Sequence, residues 1–456
     1  MRTSTYSPVR RGKTRCRGWA MLSTVFALSL QAELAQAATP PTGIACTTGT
    51  GTTPTFTLNA TSGYIQLPDS NTMFMWGYGT GGGGFQHPGP MLCVNQGDTV
   101  TVILHNGLTE AVSIMFPGQE NVSANGVPAQ PQFDGLGVVT SLTNVAAPNG
   151  TVTYSFVAGN PGTYIYESGT NPEKQVRMGL FGALVVRPTM GANFMYNRAD
   201  SRFTAGERFS NSSADTLDEE YMVLLSEIDP YQHQAVELDT AFDLTYYQAR
   251  YWLINGRGFP DSISDNGAPF LPDQPYGALA RIHPYNNNSA DPAYHPYPGA
   301  IRYLNVGTEE FPYHPHGQNG LVIGRDGQPL AGPGPDHQDL SFEKFAINIG
   351  PGQTWDVIFK WYDAENYSTS NPVPVTIPQV NNMEYGMFFS GSPYLGRTGP
   401  LPPGFSTLNT CGEFYVISHN HALYQITSWG VNLTGPITYV RVDPALTDQL
   451  PGLQCQ

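Results

Sequence analysis

The sequence is poor in charge, and poorest in positive charge. Only 12% of its 456 residues are charged, and 21 Lys and Arg stand against 36 Asp and Glu, which gives a formal net charge of −15. So acidic a chain is repelled by phosphate backbones and anionic headgroups. We therefore expect no nucleic-acid partner.

Long apolar runs and helical periodicity are also scarce. Beyond residue 38, no apolar stretch approaches the roughly 20 residues of a membrane-spanning helix, so we expect no membrane insertion. Glycine (50), proline (39) and aromatic residues (12%) are abundant instead. Segments such as DTVTVILHN (98–106) alternate with the period of two that strands show, and one short helix is expected near 235–249. The pattern predicts an all-β fold of sandwich type.

The first 38 residues have the features of an export signal. Six basic residues precede an apolar run from Trp19 to Leu30, and the small residues of 35–38 follow. We expect residues 1–38 to be a signal peptide and the protein to be exported, to the periplasm or outside the cell. Its removal would take the net charge from −15 to about −20.

Cysteine is scarce as well, with five residues. Cys16 would leave with the signal, and an even number in an exported chain predicts two disulfides with three alternative pairings. At least one bridge is expected to hold a chain end. The four remaining residues are Cys46, Cys93, Cys411 and Cys455.

The strand-like segments fall into two blocks. The first covers 46–190, a polar stretch rich in Asn, Ser and Asp at 191–218 is interpreted as a linker, and the second block covers 219–456. Two long insertions, at about 261–299 and 363–410, interrupt the second block, and insertions of this length usually have a function. Each block predicts one sandwich domain, and a division of 219–456 into two domains stays open.

Two His-x-His tripeptides are the main chemical signal. A strand turns residues i and i+2 to the same face, so each tripeptide offers two imidazoles to one point. If the two strands are neighbours, four neutral imidazoles suit one copper ion, or zinc. The alternative is a buried seam in which they only hydrogen-bond. The candidate ligands are His314, His316, His419 and His421. The loop histidines His283 and His295 are interpreted as turn residues, and a surface metal role is the alternative.

Several phrases resemble those of the multicopper oxidases, in the order of that family. They are HPGPMLCVNQGDTVTVILHNGL, GTYIYESG, SEIDP, INGRGFP, IRYLNVG, VIGRDG and INIGPGQTWDVIFKW. The resemblance implies tandem cupredoxin-like Greek-key β-sandwich domains and copper as cofactor. In two-domain members the copper cluster forms between subunits, which implies a homotrimer.

The resemblance also shows where copper ligands are missing. The first histidine pair of the family falls on Met115 to Gly118 and the second on Glu167 to Gly169, so no first-domain histidine ligand is present. Glu167 is a further candidate ligand. Both histidine pairs of the later domain are kept, but the type 1 copper ligands fall on Phe311, Asn420 and Gln425.

These substitutions limit the chemistry that the resemblance implies. Type 1 copper needs a thiolate, which Asn420 cannot supply. We therefore expect an exported, multicopper-oxidase-like copper-binding protein with at most atypical oxidoreductase activity, and we predict no catalytic residues. The alternative is a non-catalytic cupredoxin scaffold or assembly protein of the cell envelope.

Overall fold

The computed structural model describes residues 42–205, 219–332 without 292, 338–362, 380–381, 397–398, 414–430 and 433–443. The expected signal peptide, most of the insertion at 363–410, and Cys411 and Cys455 lie outside these residues. The first half contains β1 Cys46–Thr48, β2 Thr55–Gln66, β3 Thr72–Thr80, β4 Met91–Asn95, β5 Thr99–Asn106, β6 Ser123–Ala124, β7 Val127–Pro128, β8 Gln132–Phe133, β9 Val139–Ser141, β10 Thr151–Val157, β11 Gly162–Glu167 and β12 Phe181–Arg187.

The second half is also built of strands. These are β13 Glu220–Ile228, β14 Tyr251–Ile254, β15 Ala280–Ile282, β16 Gly299–Asn305, β17 Phe311–Pro315, β18 Gly320–Arg325, β19 Gln328–Pro329, β20 Phe342–Lys344, β21 Ile347–Ile349, β22 Thr354–Phe359, β23 Val380–Asn381, β24 Arg397–Thr398, β25 Phe414–Asn420 and β26 Ile437–Val442. Helices are short: α1 Pro172–Gln175, α2 Pro230–Glu237 and α3 Leu423–Ile426, with 3₁₀ turns at Ala199–Ser201, Leu244–Tyr246 and Asp261–Ile263. The all-β prediction is confirmed.

Two sheets of the first half enclose one apolar core. One has the order β1-β4-β12-β11 and the other β3-β2-β5-β10-β6-β7. β5 shows why they pack, because Val100, Val102 and Leu104 alternate with more exposed residues and all three are buried in this core. The strands β8 and β9 pair separately.

Two further sheets enclose a second core. Their orders are β14-β13-β16-β22-β18-β19, with β20 on β18, and β15-β26-β25-β17-β21; β23 pairs with β24. Trp252, Tyr303 and Val357 of the larger sheet and Phe311, Tyr313 and Ile349 of the smaller sheet belong to this core. β17 and β25 are therefore neighbours inside the five-stranded sheet.

A third apolar cluster joins the two pairs of sheets. It contains Ile165 and Val185 from the first half and Leu224 and Leu304 from the second. Every residue of β13 is buried, because one face of this strand meets the second core and the other meets this cluster.

Some local predictions needed correction. The helix expected near 235–249 begins earlier, at Pro230, because Asp229 caps it by accepting a hydrogen bond from Tyr231 N at 2.9 Å. The described part of the stretch interpreted as a linker is packed, since Met195, Tyr196 and Phe203 are buried against β16, β18 and β22.

Cys46 and Cys93 form a disulfide between β1 and β4. Among the described residues, no helix is both long and apolar enough to cross a membrane.

Candidate metal centre

The pairing of β17 with β25 brings the two His-x-His tripeptides together. The strands are antiparallel, with His314 directly opposite His419. Hydrogen bonds continue the ladder at both ends, because His316 N donates to Ile417 O at 2.9 Å and His421 N donates to Pro312 O at 2.7 Å. Cross-strand and diagonal neighbours share one face in such a ladder. All four imidazoles therefore cluster on this face.

The distances within the cluster are short. His316 Nε2 lies 3.0 Å from His419 Nε2. The centroid of the His314 ring lies 4.5 Å from the centroid of His316, 5.7 Å from that of His419 and 5.4 Å from that of His421. The His421 side is exposed and the other three rings are partly buried. The cluster is thus open to solvent on one side.

Backbone carbonyls orient two of the four rings. His314 Nδ1 is 2.9 Å from Phe345 O, and His419 Nδ1 is 2.7 Å from Asn420 O. A carbonyl can only accept, so each Nδ1 carries the proton and each Nε2 presents a lone pair. The close contact of His316 with His419 is then a hydrogen bond donated by His316 Nε2. Metal-binding histidines commonly have this carbonyl-anchored arrangement.

The cluster favours the neutral form of the His316 and His419 rings. Burial, reinforced by the three neighbouring imidazoles, lowers the pKa of His316 to about 4. The pKa of His419 is also lowered, first by burial, and His314 and His421 act in the same direction. Neutral imidazole is the form that binds metals.

The three residues that the resemblance places at the type 1 ligand positions are buried, and two of them belong to a polar network. Phe311, Asn420 and Gln425 are buried. The Asn420 amide donates to Gln425 Oε1, and Gln425 Nε2 donates to Glu309 Oε2 at 2.8 Å. Trp252 Nε1 donates to the same carboxylate oxygen at 3.1 Å. Asn420 and Gln425 therefore hydrogen-bond to each other, Gln425 also bonds to Glu309, and Phe311 packs in the second core.

The two segments of the first half that the resemblance aligns with histidine pairs lie side by side. Met115 and Glu167 form an isolated bridge, with Met115 N donating to Glu167 O at 2.7 Å. Glu167 lines a cavity of about 230 Å³ together with Asp326 and Thr354, and burial raises the pKa of its carboxyl group. The cavity lining contains no residue of the histidine tripeptides, and Glu167 as a ligand stays a prediction.

The interpretation of His283 and His295 as turn residues was wrong. Both are buried, with 6% and 7% exposure, and they contact the fully buried Glu219. Among the residues described by the structure, these three form the group of His, Cys, Asp or Glu side chains whose potential ligand atoms all lie within 4.8 Å of one another. The sequence alone does not point to Glu219. The one pattern that links the two histidines is the proline that follows each of them.

Comparison with known structures identifies the fold. The chain resembles the blue copper oxidase from Nitrosomonas europaea, with a TM-score of 0.52, 17% identity and coverage of 86% of this chain and 85% of that one. The multicopper oxidase mgLAC gives a TM-score of 0.53 at 17% identity, over 88% and 87% of the two chains. The class is therefore the tandem cupredoxin-like fold of these oxidases, as predicted.

Comparison of sequences finds the same similarity in parts of the chain. Residues 74–191 match the multicopper oxidase family model. Multicopper oxidase VdtB of Byssochlamys spectabilis is 25% identical over 295 residues, which is 63% of this chain and 37% of that protein. L-ascorbate oxidase of Cucurbita maxima is 36% identical over 107 residues, 23% of this chain and 17% of that protein. Over these segments the chain is similar to multicopper oxidases, and the matched segments span well under half of these proteins.

Proposed function

We propose that this chain is an exported, multicopper-oxidase-like protein that binds copper through His314, His316, His419 and His421. The observation that carries the proposal is the single face on which β17 and β25 present the four imidazoles. The family implies copper, and these four residues correspond to its later-domain histidine pairs.

The geometry of the rings supports this assignment. Two ligands at about 2.0–2.1 Å from one ion and at a right angle to each other, as around square-planar copper(II), lie roughly 3 Å apart. The Nε2 atoms of His316 and His419 are separated by 3.0 Å. For His316 to bind through Nε2, the proton of its neutral ring would have to move from Nε2 to Nδ1. The carbonyls of Phe345 and Asn420 would keep the His314 and His419 rings in the binding tautomer. Bound copper would supply a redox-active Lewis acid at the open face.

We further propose that the chain lacks type 1 copper and has at most atypical oxidoreductase activity. Asn420 and Gln425 stand where the resemblance expects a thiolate and an imidazole, and they hydrogen-bond to each other. Electron transfer through a copper–thiolate bond then cannot occur, because no thiolate ligand is present at this position.

Copper analysis of the protein purified without an affinity tag tests the main proposal. His316→Ala and His419→Ala should each remove most of the bound copper, and the double variant should lose little more, because ligands of one centre are strongly coupled. His105→Ala, which removes an exposed histidine from β5, is the matched control. Full copper binding by the double variant would contradict the proposal.

One observation favours the alternative of a non-catalytic scaffold. The His316–His419 hydrogen bond gives the Nε2 atoms of both rings a partner without a metal ion. In that case the unaltered chain would bind no more copper than the double variant, and copper would leave its melting temperature unchanged.

The domain division, the assembly and the destination belong to the same proposal. The separate cores of the two sheet pairs support one domain at 46–190 and one at 219–456. The resemblance to two-domain oxidases supports a homotrimer, which light scattering of the purified chain would test. Mass spectrometry of the exported protein would test cleavage after residue 38.

A further inference from the structure

Three residues from separate parts of the second half meet in the interior. Glu219 directly precedes β13, His283 directly follows β15, and His295 lies at the end of a loop closed by mutual backbone hydrogen bonds with Asn286 at 2.9 Å. The backbone of Glu219 is held on both sides, because its N–H donates to Thr204 O at 2.9 Å and its carbonyl accepts from Ala300 N at 2.8 Å. The backbone from which the carboxylate extends is therefore held in place.

The contacts of the Glu219 carboxylate are few for a buried acid. Oε1 accepts from His283 N at 2.9 Å and lies 2.9 Å from His283 Nδ1 and 3.6 Å from His295 Nε2. Oε2 is buried and has no hydrogen-bond partner. Within the described part of the chain, the ion-pair partners of Glu219 are the two histidines alone. A buried carboxylate of this kind requires a compensating positive charge.

The spacing of the three groups matches the ligands of one small ion. Adjacent ligands of a tetrahedral ion with bonds of about 2.0–2.1 Å lie roughly 3.3 Å apart. The carboxylate-to-imidazole separations of 2.9 Å and 3.6 Å lie on either side of that value. Proline follows each histidine and restricts its backbone to extended conformations, which limits the directions that each ring can take. Thr204 Oγ1, 3.3 Å from His295 Nε2, supplies a neighbouring polar oxygen.

We infer that Glu219, His283 and His295 form a second metal site, for a divalent transition-metal ion of the zinc class. Two imidazoles and one carboxylate are a donor set that zinc uses in proteins. The ion provides the charge that the buried carboxylate requires. It would also link His283 and His295 to the start of β13. The site is independent of the four-histidine cluster, because it uses other residues. The alternative to a bound ion is a proton on one of the two imidazole rings, which would pair with Glu219 without a metal.

Zinc binding to a chain without the four-histidine cluster tests the site. The background carries His316→Ala and His419→Ala, is stripped with a chelator, and is titrated with zinc in equilibrium dialysis. We expect one zinc per chain, and at least about a hundredfold weaker binding after Glu219→Gln or His295→Asn. His105→Asn is the control for loss of one histidine. The inference is overturned if the background binds no zinc, or if neither substitution weakens binding.

Hydrogen exchange of the unaltered chain provides a second test that requires no variant. Zinc should slow exchange of the Asn286 and His295 amides, which bond to each other. Protection confined to 314–316 and 417–421 would place the zinc in the other cluster and would overturn the second site. Protection at 286 and 295 supports it even if the copper proposal fails.

Discussion

At the scale of single residues, Asn420 limits the proposed chemistry most. Its amide and that of Gln425 fill the positions that the resemblance assigns to a thiolate and an imidazole, and Glu309 completes a network with Trp252. Neither amide is a ligand for type 1 copper. The two amides therefore disfavour type 1 copper in two ways: they are poor ligands, and they are already hydrogen-bonded to each other.

The first prediction concerns the colour of the copper-loaded protein. Without a copper–thiolate bond, it should lack the intense blue absorption expected at roughly 600 nm. Visible spectra recorded during a copper(II) titration are the measurement. Growth of an intense band near that wavelength would mean that a cysteine reaches copper, and would contradict the assignment of Asn420.

The second prediction concerns the pH dependence of stability. Burial lowers the pKa of His87 to about 3, and the nearby His233 adds to this effect. Between about pH 6.5 and pH 3 the unfolded chain binds a proton that the folded chain excludes, so the free energy of unfolding falls as the pH falls. The contribution of His87 should reach roughly 3 kcal/mol or more near pH 4. Urea unfolding between pH 7.5 and pH 4 measures it.

A variant isolates the contribution of His87. His87→Leu keeps an apolar group beside Phe181, whose ring centroid is 5.3 Å away, and should make the pH profile shallower. His105→Leu, at an exposed position, controls for the loss of one imidazole. An unchanged slope in His87→Leu would assign the acid sensitivity to other groups.

The candidate sites show which features a single sequence can predict. His314 and His316 share a strand face because strands have a period of two, and the residues alone indicate this. That His314 lies opposite His419 depends on the register of two strands far apart in sequence, which only the packed second core determines. The meeting of Glu219 with His283 and His295 depends on long-range packing of the same kind, and the loop composition around both histidines pointed to turns.

At the scale of elements, periodicity predicts the strands better than the connections. β5 and β10 alternate between buried and exposed positions as expected. The polar composition of 191–218 suggested a linker, yet Tyr196 donates a hydrogen bond to Asp356 of β22 at 2.5 Å and is buried. Composition describes the average polarity of a segment, and three large apolar side chains were enough to pack its described part, residues 191–205.

The third prediction concerns the bridge between β1 and β4. The disulfide closes a loop between residues 47 positions apart. Chain entropy assigns about 4 kcal/mol to a closed loop of this length, and 2–4 kcal/mol is typical. Cys46→Ala with Cys93→Ala should lower the free energy of unfolding by that amount in chemical denaturation. Thr48→Ala, on the same strand but exposed, should change it little. Equal stability of the double variant would show that the unfolded chain gains little freedom from losing the bridge.

At the scale of the whole molecule, one buried arginine connects the two pairs of sheets. Arg302 of β16 is fully buried. Its Nε donates to Glu220 Oε1 at 2.6 Å, and its Nη1 donates to Thr163 Oγ1 of β11 at 2.9 Å and lies 3.4 Å from Asp356 Oδ1. Arg187 of β12 also donates to Glu220 Oε1, at 2.5 Å. The network crosses between strands of the two halves beside the third apolar cluster.

The last prediction follows from this network. Arg302→Met leaves Asp356 and part of Glu220 as buried acids with fewer partners, and breaking a buried pair in this way costs about 3–5 kcal/mol. Because the same contacts join the two pairs of sheets, we expect the unaltered chain to unfold in one calorimetric transition and the variant to show a lower melting temperature for both halves. Arg325→Met is the matched control, since its pair with Asp326 is 42% and 50% exposed and such pairs contribute about 0–1 kcal/mol. Two separate transitions in the unaltered chain, with only one of them lowered by Arg302→Met, would mean that each sandwich folds on its own and that the arginine stabilises its own sheet rather than the contact between the halves.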